Sequence, residues 1–193
     1  MRERLDREYF ENLYAGSRDP WGFETSEYER EKYERTLGVL ARRQQGYCRA
    51  LEVGCSIGVF TAMLAPLCTE LLAVDVSERA IAVARERLEG FPNIWVELRR
   101  LPEEMPEGPF DLIVASEVLY YWPESVMLAA LSRFEEVLAP GGALLAVHWR
   151  KETKTYPLQG DEVHELLVAH TSLTNTATII EAEYRLDLFE DKV

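Results

Sequence analysis

The chain is poor in the features that direct a protein to a membrane, a metal or a nucleic acid. No run approaches the roughly 18 consecutive apolar residues of a membrane span, although 47% of its 193 residues are apolar. Its 21 Lys and Arg are scattered and outnumbered by 34 Asp and Glu, for a formal charge of −13. Nucleic acids and anionic membranes are bound by clustered positive charge, so neither is expected as a partner. Cys48, Cys55 and Cys68 are odd in number and include no CxxC pair. They suggest neither a disulfide framework nor a zinc site and are expected as buried thiols. His148, His164 and His170 lack an HExxH spacing, so no metal is expected. The start, MRERLDREYF, is mixed in charge and has no apolar core, which does not fit a signal peptide. The expectation is a soluble cytoplasmic protein whose acidity suits a neutral or cationic small substrate, or merely solubility. No repeat and no low-complexity tract interrupts it.

What is present fits one α/β domain over residues 1–193, since this length supports one sizeable core. Apolar positions at helical spacing predict a helix over 3–14. After the breaker AGSRDPWGFETS, Ser26 with Glu29 marks a capping box and a second helix. Residues 1–45 are expected as a helical lid, 46–150 as a cofactor-binding core and 151–193 as a helix and β-hairpin. Strands are predicted near 48–53, 69–75, 93–98, 110–116 and 143–149. Helices are predicted at 57–66, 78–89 and 124–138, the last closed by Pro140, Gly141 and Gly142. After a helix at 161–170, strands near 172–180 and 182–190 lie too close together for a crossover and should pair antiparallel.

The chain is organised around LEVGCSIGVF, Leu51 to Phe60, a strand running through a glycine turn into a helix. Gly54 and Gly58 suit a sharp turn and a close ligand, and Glu52 precedes it. Asp75, with Val76 beside it, follows at the distance where a βαβ fold offers a carboxylate to ribose hydroxyls. A GxGxxG dinucleotide turn would need glycine where Ser56 stands. The same string is also GxSxG, a serine hydrolase elbow with Ser56 as nucleophile and Asp161 and His164 following in order. That reading lacks an upstream oxyanion donor and gives Asp75 no role. A third possibility is a catalytically silent domain that binds a cofactor.

Other candidates lie at predicted strand ends and in the lid. Ser116 and Glu117 follow FDLIVA and could present polar groups to a ligand, with Tyr120 or Tyr121 alongside. Trp21, between Pro20 and Gly22, could close over a cofactor. Arg30 could hold a carboxylate, or could simply face solvent. His148 is the first candidate for a general base and His164 the second, each with a plain structural role as the competing possibility. His170 is read as structural.

Together DPWGFETSEYEREKYER, LEVGCSIGVFTAMLA, LLAVDVSERAIAVARERL, FDLIVASEVLYYW, LAPGGALLAVHWR and GDEVHELL resemble the nodulation-protein-S-like branch of class I S-adenosylmethionine-dependent methyltransferases. The resemblance implies a Rossmann-like, seven-stranded, mostly parallel sheet in the order 3-2-1-4-5-7-6, with helices on both faces. It implies S-adenosylmethionine as cofactor and S-adenosylhomocysteine as product. Glu52, Gly54 and Gly58 would hold the methionine part and Asp75 the ribose. The acceptor would be a small molecule, with an amine favoured. Where many members carry an adenine-binding acid, this chain has Arg100, so adenine is expected at backbone groups near Arg100 and Leu101, or at Glu103.

Overall fold

Aliphatic runs with no polar face make strands that can be covered on both sides, and such runs alternate here with amphipathic helices. The computed structural model describes residues 2–191. Its strands form one seven-stranded sheet in the order 3-2-1-4-5-7-6. The chain falls into two compact units, Arg7–Arg99 and the residues from Arg100 onward together with those ahead of Arg7.

In the unit Arg7–Arg99, helices α1 (Arg7–Gly16) and α2 (Glu27–Arg43) precede β1 (Tyr47–Val53), α3 (Val59–Leu64), β2 (Cys68–Asp75), α4 (Glu78–Leu88) and β3 (Ile94–Leu98). β2 pairs in parallel with β1 on one side and β3 on the other, Val53 opposite Val74 and Asp75 opposite Leu98. α4 buries Ile81, Ala84 and Leu88. Ser26 caps α2 by accepting the Glu29 N–H. α1 begins at Arg7, four residues later than its periodicity suggests. The Leu5 N–H instead donates to the Tyr121 carbonyl, which holds that residue out of a helix. Cys55 and Cys68 are buried as expected, but Cys48 is exposed, because it points outward from β1.

The other unit contains β4 (Phe110–Ser116), α5 (Glu124–Val137), β5 (Leu138–Trp149), α6 (Gly160–His170), β6 (Thr174–Ile180) and β7 (Tyr184–Glu190). β4 and β5 are parallel, whereas β7 runs antiparallel to both β5 and β6, as the short β6–β7 connection requires. Pro140, Gly141 and Gly142 do not end the helix. α5 stops at Val137, and these residues form an irregularity inside β5, where pairing to β4 jumps from Leu138 to Ala143. Among the described residues no helix is long and apolar enough to cross a membrane.

The corner from β5 into α6 is tight. A β-carbon on Gly160 would lie 2.0 Å from the Trp149 carbonyl oxygen, a backbone atom that cannot swing away. Gly160→Ala is therefore expected to lower stability by about 1–3 kcal/mol or more, as overpacking does. Gly16→Ala, with nothing within 4 Å, should stay within about 0.5 kcal/mol of the parent. Thermal or urea melts of both variants check this.

Candidate functional site

The turn after β1 is built from backbone that L-residues rarely adopt. Gly54 and Gly58 have φ of 76° and 78°, and Ser56 between them has φ of 52°. At Gly58 a β-carbon would also press on Leu88 at 3.0 Å and Ala84 at 3.3 Å. Its smallness thus serves the packing of α4 against the turn, in addition to the left-handed conformation. The Gly54 and Cys55 amides both donate to the Val74 carbonyl, which locks the turn to β2. Asp75 completes the lock. Its two carboxylate oxygens accept the Ser56 N–H and the Ser77 N–H, each at 2.9 Å. Burial pushes the Asp75 carboxyl up, while those amides and that of Val76 pull it back down.

Glu52 is almost fully buried at the end of β1. Burial pushes its carboxyl up to about 7, with a further push from Asp75. Glu52 Oε2 and Thr61 Oγ1 are buried with no hydrogen-bond partner among the described residues. An orphaned carboxylate oxygen beside a left-handed glycine turn has room in its chemistry for a cationic group.

α1 and the following turn lie against this edge. Tyr14 Oη and Ser56 Oγ share a hydrogen bond at 2.5 Å. Trp21 packs edge-on against Tyr14 and stacks on Phe23, with centroids 5.7 and 5.6 Å apart. Asp19 orders that turn by accepting the Phe23 and Glu24 amides. Glu11 accepts the Ser77 hydroxyl at 2.8 Å, and Arg7 donates to the Val76 carbonyl at 3.0 Å. The sequence reading missed Tyr14 and Glu11. Both were visible only as positions on an amphipathic helix, and nothing local marks which turn that helix covers. Arg30 is exposed and pairs with Glu34 at 2.7 Å and Glu27 at 3.7 Å on its own helix. It borders a cavity of about 300 Å³ with Phe23, Ser26, Tyr33, Val59 and Met63. Its guanidinium is already matched by carboxylates, which favours the solvent-facing alternative.

In the other unit, the groups expected to receive adenine are taken by the chain's own start. Arg4 donates to the Leu101 carbonyl and pairs with Glu103, and Arg100 pairs with Asp6 at 2.5 Å. Leu101 itself is buried. Ser116 ends β4, and Glu117 follows with φ of 54°. Glu117 Oε2 accepts the Tyr120 hydroxyl at 2.5 Å and the Trp149 N–H at 2.9 Å, so this oxygen turns back onto its own loop. Tyr120 and Tyr121 are buried against Tyr156, and burial pushes both phenols up.

Both candidate histidines are enclosed by other side chains and backbone. His148 and His164 have no exposed surface. His148 Nε2 accepts the Leu119 N–H at 3.1 Å, its Nδ1 faces His164 Nε2 at 3.2 Å, and His164 Nδ1 meets Asp187 Oδ2 at 2.6 Å. All four ring nitrogens are engaged, so neither ring is presented to a substrate as a base. The same bonds remove the hydrolase reading: Ser56 is bonded to Tyr14, His164 to Asp187 and His148, and Asp161 to Arg150. Among the described residues no group of His, Cys, Asp and Glu could hold a metal ion.

The family model described as Nodulation protein S (NodS) matches residues 8–156. The chain belongs to the nodulation protein S family. It is 42% identical over 131 residues to nodulation protein S of Bradyrhizobium diazoefficiens, an alignment covering 66% of this chain and 61% of that protein. It is 36% identical over 129 residues to nodulation protein S of Sinorhizobium fredii, covering 66% and 59%. The chain thus spans about three fifths of the length of these curated relatives. Among solved structures, the N-methyltransferase NodS from Bradyrhizobium japonicum in complex with S-adenosylhomocysteine superposes with a TM-score of 0.87 at 28% identity, covering 97% of this chain and 98% of that one. The fold is that of the class I methyltransferases.

The buried Glu52 makes a testable demand on stability in this NodS family member. Its folded pKa of about 7 lies above its ordinary value of 4.5. Its contribution to stability is therefore full below 4.5 and is lost as pH rises through about 7. Glu52→Gln should raise stability at pH 8 by on the order of 1–3 kcal/mol and leave it little changed at pH 5. Urea melts of parent and variant at the two pH values measure the difference.

Proposed function

We propose that this chain is an S-adenosylmethionine-dependent methyltransferase that acts on a small-molecule acceptor, with an amine as the acceptor group. The single observation that carries the cofactor assignment is the pairing of the Asp75-locked glycine turn with the orphaned Glu52 oxygen. Family membership supports the activity, since a structure matching nearly the whole chain is that of an N-methyltransferase. The reading also keeps residues 1–193 as one functional domain in the cytoplasm, with 1–45 as its cover.

S-adenosylmethionine supplies an electrophilic methyl group on a good leaving group. The protein's part is to bind, orient and exclude water. Glu52 would pair with the ammonium of the methionine end, where its buried oxygen lacks a partner. Asp75 would receive the ribose hydroxyls on carboxylate oxygens already aligned by two amides. Gly54 and Gly58 keep the turn free of side chains, and Tyr14 with Trp21 forms its aromatic cover. Val76, Leu101, Ser116 and Glu117 remain proposed cofactor contacts because they stand at or just after strand ends. An amine arriving as the free base attacks through its lone pair and can release its proton to water afterwards, so the reaction does not require an imidazole.

Asp75→Asn keeps one acceptor for the turn and loses the second. It should weaken S-adenosylhomocysteine by about 1–3 kcal/mol, the range for charged hydrogen bonds. Affinity in the parent should rise with pH up to about 7, where Glu52 ionises, and level off above. Glu52→Gln should bind more weakly and lose that dependence. Isothermal titration calorimetry between pH 5.5 and 8.5 checks both, and a pH-independent affinity in the parent would remove Glu52 from the ammonium site.

A further inference from the structure

The unit that begins at Arg100 contains a buried row of titratable side chains that methyl transfer does not use. Asp187 on β7, His164 on α6 and His148 on β5 have no exposed surface. They are linked in sequence at 2.6 and 3.2 Å, and the row ends 3.1 Å from the Leu119 amide nitrogen. We propose that His164 and Asp187 are positioning residues that act through His148 to hold Leu119, and with it the loop from Ser116 to Tyr121.

The bonds permit only one arrangement of protons. A backbone N–H can only donate, so His148 Nε2 must be bare and its proton must sit on Nδ1. His148 Nδ1–H then donates to His164, whose Nε2 must also be bare. The His164 proton sits on Nδ1 and donates to Asp187 Oδ2. Both rings are therefore neutral and both carry the Nδ1–H tautomer. Placing a proton on either Nε2, by tautomer exchange or by charging a ring, sets two donors against each other within the row or at Leu119. Asp187 anchors the far end. It also accepts from Arg185 Nε at 2.8 Å, Asn175 Nδ2 at 3.0 Å and Thr178 Oγ1 at 2.5 Å. Burial would raise its carboxyl, but the bonds from His164, Thr178 and Asn175 outweigh this and hold it well below the usual carboxylate range. Burial likewise pushes His164 down. The charged groups acting on His164 are Asp187, Arg185 and Asp161, and the Tyr120 ring packs edge-on against His148.

The loop end of the row has a direct consequence. Leu119 opens the short 3-10 turn Leu119–Tyr121. Fixing its amide sets where Tyr120 stands, and the Tyr120 hydroxyl in turn meets Glu117. A buried, fully satisfied network of this kind selects one geometry where apolar packing would allow several. The functional side of the inference rests on the reading that Ser116 and Glu117 touch the cofactor.

Long-range 1H–15N spectra of the parent should show both His148 and His164 as Nδ1–H. An Nε2–H on His148 would overturn the proposal whatever the variants do. His164→Gln can still accept from His148 and donate to Asp187, whereas His164→Leu can do neither. Hydrogen exchange at the Leu119 amide should be about tenfold faster or more in His164→Leu, the mark of a locally opened segment, and should return close to the parent rate in His164→Gln. Equal exchange in parent and His164→Leu would sink the idea. Titration with S-adenosylhomocysteine should shift the Ser116 and Glu117 amides in the parent and in His164→Gln, and less in His164→Leu. Absence of those shifts in the parent would count against the cofactor reading alone, because the tautomers and the exchange rates do not depend on it.

Discussion

The Asp75 carboxylate, accepting the Ser56 and Ser77 amides at 2.9 Å each, is the constraint on which the candidate cofactor site depends. Ser56 sits at positive φ without the freedom of glycine, a conformation that persists only where its surroundings over-determine it. Its amide is held by Asp75 and its hydroxyl by Tyr14, so strand end, glycine turn and first helix are fastened at one residue. The same carboxylate tethers the residue that caps α4, since Ser77 accepts the Ala80 N–H. Asp75 is thus a structural clamp before any ligand arrives, with its oxygens fixed in direction.

Buried acids are handled in two opposite ways in this protein. Asp187 is saturated with four donors and ionised, and its stabilising contribution is present above the ordinary carboxylate range and is lost as pH falls toward its depressed folded pKa. His164, held neutral by burial, acts in the same direction: its contribution is lost as acid forces a charge onto it. Glu52 is left with an unpaired oxygen, and its contribution is lost in the other direction, as pH rises. An acid that the fold satisfies serves the fold, whereas one left unsatisfied sits where an external cation would settle it. That contrast separates the structural network around β7 from the candidate site at the end of β1.

Much of this was legible in local chemistry. The glycine turn, its following acid and the βα alternation are short-range patterns, and the strands formed within a residue or two of where the apolar runs placed them, except β5, which begins five residues earlier, at Leu138. The antiparallel close of the sheet followed from a loop too short to cross over. The points that local chemistry left open share a cause. His148 stood at a strand end, where open α/β sheets present residues to ligands, but its surroundings come from α6 and β7, far along the chain. Arg30 could have faced inward or outward, and the acids one turn away on its own helix took it. The leading residues read as helix until their contacts with the 101–103 segment and Tyr121 claimed them.

By itself the sequence determined the order of strands and helices, the backbone turn and the pair of acids beside it, because periodicity, glycine conformation and short spacing act within a few residues. Which histidine meets water, which acid keeps a free oxygen and which arginine is already paired were decided only by the tertiary structure. Burial and hydrogen-bond partners are set by residues tens of positions apart, and they determine the protonation and availability of each side chain.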